Sequence, residues 1–306
     1  MSVTEIIYRQ MANILLELAA HDFPRIGSSS RIDHDTCVDS RPLKLKMNET
    51  ERHGGDNTSS SMTFSSATEY FHHVAEQDLQ HLCKQPNSID DVDDARSKYI
   101  HRSIFKAMLP GFVSDKHNNG PFKLICDDFR FGNILVNNAT DLKIVAVVDW
   151  EWAYAAPYQM LYSPPRWLLI KKPIRWNNED SPITYLSQYK SYFQKFVRIL
   201  EEEESKRARD VAPPPASKDE RMSSLLQQSM DDGKFWYHEL VYSSFESADN
   251  PAWAAIRGII PNLNDLATVT DTELNAFVEG KMEQLRQYDL EWGIMKEDID
   301  KKECTI

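Results

Sequence analysis

At 306 residues, with 41% hydrophobic and 27% charged side chains, the chain is long enough for one large domain or two smaller ones around a sizeable core. Its formal net charge of −12 excludes the basic surface that nucleic acid or an anionic membrane requires. Cys37, Cys83, Cys126 and Cys304 form no CxxC pair and no metal-ligand spacing, as expected of free thiols in a reducing compartment.

The opening MSVTEIIYRQMANILLELAAH lacks the basic start and unbroken apolar core of a signal peptide. No stretch reaches the roughly 18 apolar residues of a membrane span, so the expectation is a soluble, cytoplasmic protein. Ser2-x-x-Glu5 reads as a capping box. Ile7, Met11, Ile14, Leu15 and Leu18 follow at helical spacing, predicting an amphipathic helix of about five turns. Residues 22–65 read as irregular, except that RPLKLKMNE alternates like an extended segment over the core, with Lys44 and Lys46 facing solvent. Ser66-x-x-Glu69 opens a second helix carrying Tyr70, Phe71, Val74 and Leu82, and a third runs from about Asp90 to Leu109, its first turn acidic to suit the dipole.

FKLIC, NILV and KIVAVVDW are β-rich runs, and NNATD joins the last two as a hairpin over residues 133–150. After Trp152 the chain is aromatic and broken by prolines until a long helix at residues 182–208. Its end, EEEESKRARD, reads as a solvated helical terminus before Pro213, Pro214 and Pro215. The final third reads as helical, most clearly in TDTELNAFVEGKMEQLRQY. The expected fold class is mainly α (α+β), helices around a small β-hairpin, with residues 211–220 a Pro-rich linker and 221–306 a C-terminal helical subdomain.

The hairpin carries the chemistry. Asp128 and Asn133 stand five residues apart after one apolar run, and Asp149 ends the next, sixteen residues beyond Asn133. Kinase-type phosphotransfer requires these residue types: a carboxylate to accept a hydroxyl proton, and an amide oxygen with a second carboxylate to hold magnesium by hard oxygen ligands. A hairpin whose ends lie side by side brings the two together.

LICDDFRFGNILV…IVAVVDWEWAYAAP resembles the aminoglycoside phosphotransferase and choline kinase superfamily, especially its fungal members. Those typically read His-Gly-Asp-x-x-x-x-Asn-Ile-Leu-Val, then Ile-Asp-Trp-Glu and a nearby Pro. The resemblance covers roughly residues 1–200 and is specific across the loop and hairpin. It implies a protein-kinase-like C-lobe over 1–210, with catalytic loop 126–133 and metal strand 144–151. By it Asp128 matches the catalytic base, Asn133 and Asp149 the magnesium ligands, and Glu151 an acid whose role varies. The implied reaction is ATP-dependent phosphoryl transfer to a hydroxyl of a small molecule. Cys126 and Asp127 stand where the family has His and Gly. Arg130, two residues after the base, either contacts the transferred phosphoryl group or balances Asp127 and Asp128.

Enzymes of this class hold the nucleotide against a β-rich N-lobe, and here the chain begins at the first C-lobe helix without a GxG or GxxxxGK. The expectation is a C-lobe lacking the N-terminal β-lobe. A truncated product, a non-catalytic pseudo-kinase or interaction module, and a minimal enzyme completed elsewhere are the three alternatives. The interlobe face so exposed favours self-association or a partner. Glu151, Trp152, Tyr158 and Trp167 are the candidate substrate-binding residues, and the acidic balance suits a cationic acceptor. His72, His73 and His81 lack metal spacing and read as solvated; Trp236, Tyr237, Trp253 and Trp292 read as core. No GxSxG is present, which excludes that route to acyl transfer.

Overall fold

A computed structural model describes residues 2–32, 35–44, 59–169, 173, 182–210, 218–243 and 249–303. Helix α1 (Val3–Ala19) is closed by the predicted capping box. Ser2 Oγ accepts from the Glu5 amide at 3.3 Å, and the Glu5 carboxylate accepts from the Ser2 amide at 2.9 Å. Tyr8, Met11, Ala12 and Leu15 bury one face, as the 3.6-residue period dictates.

The stretch expected to be irregular contains an antiparallel hairpin, β1 (Ser28–Ile32) and β2 (Asp35–Ser40). SSSRI and DTCVDS carry too few apolar residues for a period of two to be visible. Gly27 ties the hairpin to the rest of the molecule by exchanging backbone hydrogen bonds with Ala155 at 3.0 and 2.9 Å. A Cβ on Gly27 would lie 2.5 Å from Ser40 O, so only glycine permits that approach. Lys44, just beyond, corrects the reading of a solvent-facing lysine: it is 2% exposed, its ammonium 5.6 Å from the Tyr70 ring centroid. Lys46 lies outside the described residues.

Helices α2 (Ala67–Lys84) and α3 (Val92–Ala107) follow, capped by Ser66 and Asp91. At the second capping box Ser66 Oγ accepts from the Glu69 amide at 3.1 Å, and the Glu69 carboxylate accepts from the amide and hydroxyl of Ser65 at 2.9 and 2.8 Å. Strand β3 (Lys123–Cys126) leads to the catalytic-loop candidate, and β4 (Ile134–Val136) and β5 (Ile144–Val147) form the predicted hairpin. An unforeseen strand, β6 (Ala153–Ala156), pairs with β3 from Lys123 opposite Ala156 to Cys126 opposite Ala153. The described strands thus make three two-stranded antiparallel sheets in a mainly helical protein.

Helices α4 (Pro182–Asp210), α5 (Met222–Asp231), α6 (Lys234–Tyr242), α7 (Pro251–Ile259) and α8 (Asp271–Glu303) complete the fold. One core draws on both halves of the chain, Met11, Tyr70 and Phe196 packing in the same cluster as Phe235, Tyr237 and Ile256. A second cluster, Leu82, Ile89, Ala95, Leu274 and Val278, seats α8 on α3. Trp236, Tyr237 and Trp253 are core, whereas Trp292 is 53% exposed, contrary to expectation. His72 is exposed, but His73 and His81 are half-buried, and His73 packs 5.1 Å from the Phe64 ring.

The acidic end of α4 also differs from its reading as a solvated terminus. Glu203 is 7% exposed and is held by Arg9, by Asn13 at 2.9 Å and by Lys206 at 2.6 Å, while Glu202 pairs with Arg9 at 2.7 Å. The reason is tertiary: α1 lays Arg9 and Asn13 along α4. Burial raises the Glu203 pKa, but the hydrogen bonds from Lys206, Asn13 and Arg9 outweigh it and bring the value to about 2. Among the described residues no helix is long and apolar enough to cross a membrane.

Candidate functional site

Strand β3 ends in a tight loop whose backbone is fixed from three sides. The Asp127 amide donates to Trp152 O at 3.1 Å, the Phe129 amide to Cys126 O at 3.1 Å, and the Cys126 thiol lies 3.6 Å from Asp149 O. Within the loop Asn133 is 3% exposed, and its Nδ2 donates to both Asp128 O at 3.0 Å and Asp128 Oδ2 at 2.9 Å. Arg130 Nε donates to the other carboxylate oxygen, Asp128 Oδ1, at 2.9 Å. The charge-balance role considered for Arg130 therefore exists for Asp128.

Hairpin register sets the position of Asp149. Ile134 is opposite Val147, and the Val148 amide donates to Asn133 O at 2.9 Å, so Asp149 follows directly on the residue that faces Asn133. Asp149 has φ 60° and ψ 52°, a left-handed conformation that costs a non-glycine residue energy and clusters at functional positions. Its carboxylate is exposed, with no hydrogen bond or ion pair among the described residues. Trp150 holds the turn, its indole donating to Val147 O at 3.0 Å and its ring stacking 6.0 Å from Phe129. Gln10 of α1 clamps the far end of the hairpin, donating to Leu142 O at 2.9 Å and accepting from the Ile144 amide at 2.8 Å.

Asp127 turns to a different environment. Tyr154 Oη donates to Asp127 Oδ1 at 3.4 Å and lies 2.9 Å from Tyr70 Oη. Burial raises the Asp127 pKa, opposed by the charges of Lys44 and Arg166. Arg166 in turn donates to Glu239 at 3.0 Å and lies over the Tyr242 ring at 4.1 Å. Tyr154→Phe should therefore cost about 1–3 kcal/mol in urea denaturation, because Asp127 and Tyr70 both lose a buried partner. Unchanged stability would show that the cluster does not hold the loop.

A groove of about 760 Å³ opens beside the loop, bordered by Asp127, Asp128, Arg130, Phe131, Arg166 and Trp167. Of the four residues expected to bind substrate, Trp167 lies on its wall. Glu151 is exposed and Trp152 half-buried, both outside that lining. Tyr158 stacks between His117 at 3.7 Å and Tyr162 at 4.1 Å in a separate small pocket. Tyr8 of α1 and Tyr192 of α4 also line the groove. Nothing in their spacing distinguishes them from the apolar faces of their helices, so sequence reasoning missed them.

The structure thus bonds Asp128 to Asn133 directly and brings the Asp149 backbone one residue beyond the Val148–Asn133 hydrogen bond, while Asp128 lines the groove and Asn133 and Asp149 do not. Among the described residues no three His, Cys, Asp or Glu side chains gather into a group that could hold a metal ion. The expected magnesium set differs in including an amide. Comparison with protein families, characterised proteins and solved structures returned no match to the chain.

Proposed function

We propose that this protein is a kinase-like phosphotransferase resembling the aminoglycoside phosphotransferase and choline kinase superfamily, acting on a hydroxyl of a small molecule. The observation that supports this reading best is the pairing of the Asp128 carboxylate with the buried Asn133 amide, next to an unpaired Asp149 held in left-handed conformation. The Asp149 carboxylate, exposed and engaged by no side chain among the described residues, leaves both its oxygens available to a cation.

In this reading the acceptor's hydroxyl oxygen forms a bond to the γ-phosphorus of ATP as the bond to the departing ADP breaks. The hydroxyl proton passes to Asp128, and Arg130 shifts its guanidinium from Asp128 toward the transferred group. Magnesium fits the donor set: Asn133 commits its Nδ2 to Asp128, leaving the amide oxygen, and Asp149 offers a free carboxylate. When bound, the ion would offset the negative charge of the phosphates. The alternative, a non-catalytic module of the same ancestry, draws on the Arg130–Asp128 pair, which occupies the base.

The test is a thermal shift with magnesium-ATP, since a ligand at a hundredfold its dissociation constant stabilises the folded state by about 2.7 kcal/mol. Asp149→Gly should abolish that shift. It should also leave the unliganded protein as stable as before, or up to about 1 kcal/mol more stable, because glycine adopts the left-handed region freely. A wild-type chain that magnesium-ATP does not shift would remove the support for the phosphotransfer reading.

A further inference from the structure

We infer that the groove beside Asp128 selects an uncharged acceptor with an apolar ring body; the acceptor's hydroxyl rests on the phosphotransfer reading. The walls are Ile7 and Tyr8 from α1, Tyr192 from α4, and Trp167, Leu168 and Leu169 from the segment between. At the mouth, Phe131 is 44% exposed and meets Trp167 edge-on at 5.0 Å, and Tyr192 is 37% exposed. Large, rigid aromatic side chains left in water at the rim of a concavity gain apolar contact when a ring enters.

Among the described residues, the charged side chains of this lining are two acids and two arginines, and each has a partner. Asp128 is paired with Arg130 at 2.9 Å. Asp127 accepts from Tyr154 at 3.4 Å and sits in the field of Lys44, while Arg166 is bound to Glu239 at 3.0 Å. Among the described residues the charge of the lining is balanced, although the whole chain carries −12. An ammonium entering here would meet two guanidiniums and carboxylates already engaged, so the overall acidity does not carry over to the groove. A volume of about 760 Å³ is within the range of small-molecule pockets. A heavily hydroxylated sugar would leave polar groups facing aromatic walls without partners.

Isothermal titration with three hydroxyl compounds, in the absence of nucleotide, separates the classes: 2-naphthol for an apolar ring, choline for a cation and glucose for a polar ring. The expected result is one site for 2-naphthol, bound at least tenfold more tightly than choline or glucose. Phe131→Asp and Tyr192→Asp, both at exposed positions, should each weaken it tenfold or more while the melting temperature stays unchanged. Choline or glucose binding as tightly as 2-naphthol would overturn the inference, as would 2-naphthol binding that neither substitution weakens. Because no nucleotide is present, a failed magnesium-ATP shift would leave this result standing, and the reverse also holds.

Discussion

Lowering the pH from 7 to 4.5 should weaken the fold by about 3 kcal/mol through His238 alone, and His238→Gln should remove that share of the loss. His238 is 1% exposed on α6, its ring stacked on Phe71 at 6.1 Å. Gln159 fixes its protonation. That amide's oxygen accepts from the Ser114 amide at 2.9 Å, so its nitrogen is the atom 2.8 Å from His238 Nε2. Nε2 must then be an acceptor and the imidazole neutral. Burial pushes the pKa down to about 3, and the nearby Lys234 adds to the effect.

The sign follows from the direction of the shift. A histidine with a depressed pKa contributes stability that is present above its unfolded value near 6.5 and is lost as the pH falls toward 3. Two pH units of that window correspond to the stated loss at about 1.4 kcal/mol per unit. Glu203, with a pKa of about 2, begins to lose its own contribution only below its unfolded value near 4.5, so measurements at pH 7 and 4.5 keep the two apart. Asp127 has the opposite sign: its pKa is raised, so protonation on acidification favours the folded state. The difference between wild type and His238→Gln in urea denaturation at the two pH values is therefore the decisive quantity. Glutamine preserves an acceptor for Gln159. Equal losses in both proteins would mean that His238 is not held neutral.

The second large effect is catalytic. Asp128→Asn should lower nucleotide-dependent phosphoryl transfer by on the order of a hundredfold or more, since the amide accepts no proton and loses the ion pair with Arg130. The substitution keeps the shape of the side chain, and Asn133 can still donate to the remaining oxygen, so unfolding is not the expected cause. Single-turnover transfer to a hydroxyl acceptor, compared between wild type and Asp128→Asn, is the measurement. A residual rate identical in the two proteins would exclude Asp128 as the base and favour the non-catalytic module.

The exposed side chains of Leu135, Val136 and Val145 stand at 48%, 39% and 58% on the β4–β5 hairpin. β4 and β5 read ILV and IVAV, continuous apolar runs rather than an alternation, so the strands were readable in the sequence while the exposure of these side chains was not.

Sequence by itself determined the elements whose signals are local. The Ser2 capping box, the apolar face of α1, the Asp91-capped α3 and the hairpin joined by residues 137–141 all depend on neighbours within a few positions. The Asp128–Asn133 contact was legible for the same reason, since the two residues lie five apart in one tight loop, although Trp152 and Val148 help to hold that loop. Tertiary structure alone decided the rest. The β1–β2 hairpin has no apolar alternation and is anchored through Gly27 to Ala155, far along the chain. Burial of Lys44 and Glu203 contradicted their polar, charged settings, since each gains its surroundings from a remote element: Tyr70 for one, Arg9 and Asn13 for the other. The groove, too, unites α1, the loop and α4, and the balanced charge of its described residues could not be read from a chain total of −12. Helix caps and turns are short-range hydrogen bonds encoded by adjacent residues, whereas burial and local electrostatics are properties of whatever the fold brings into contact.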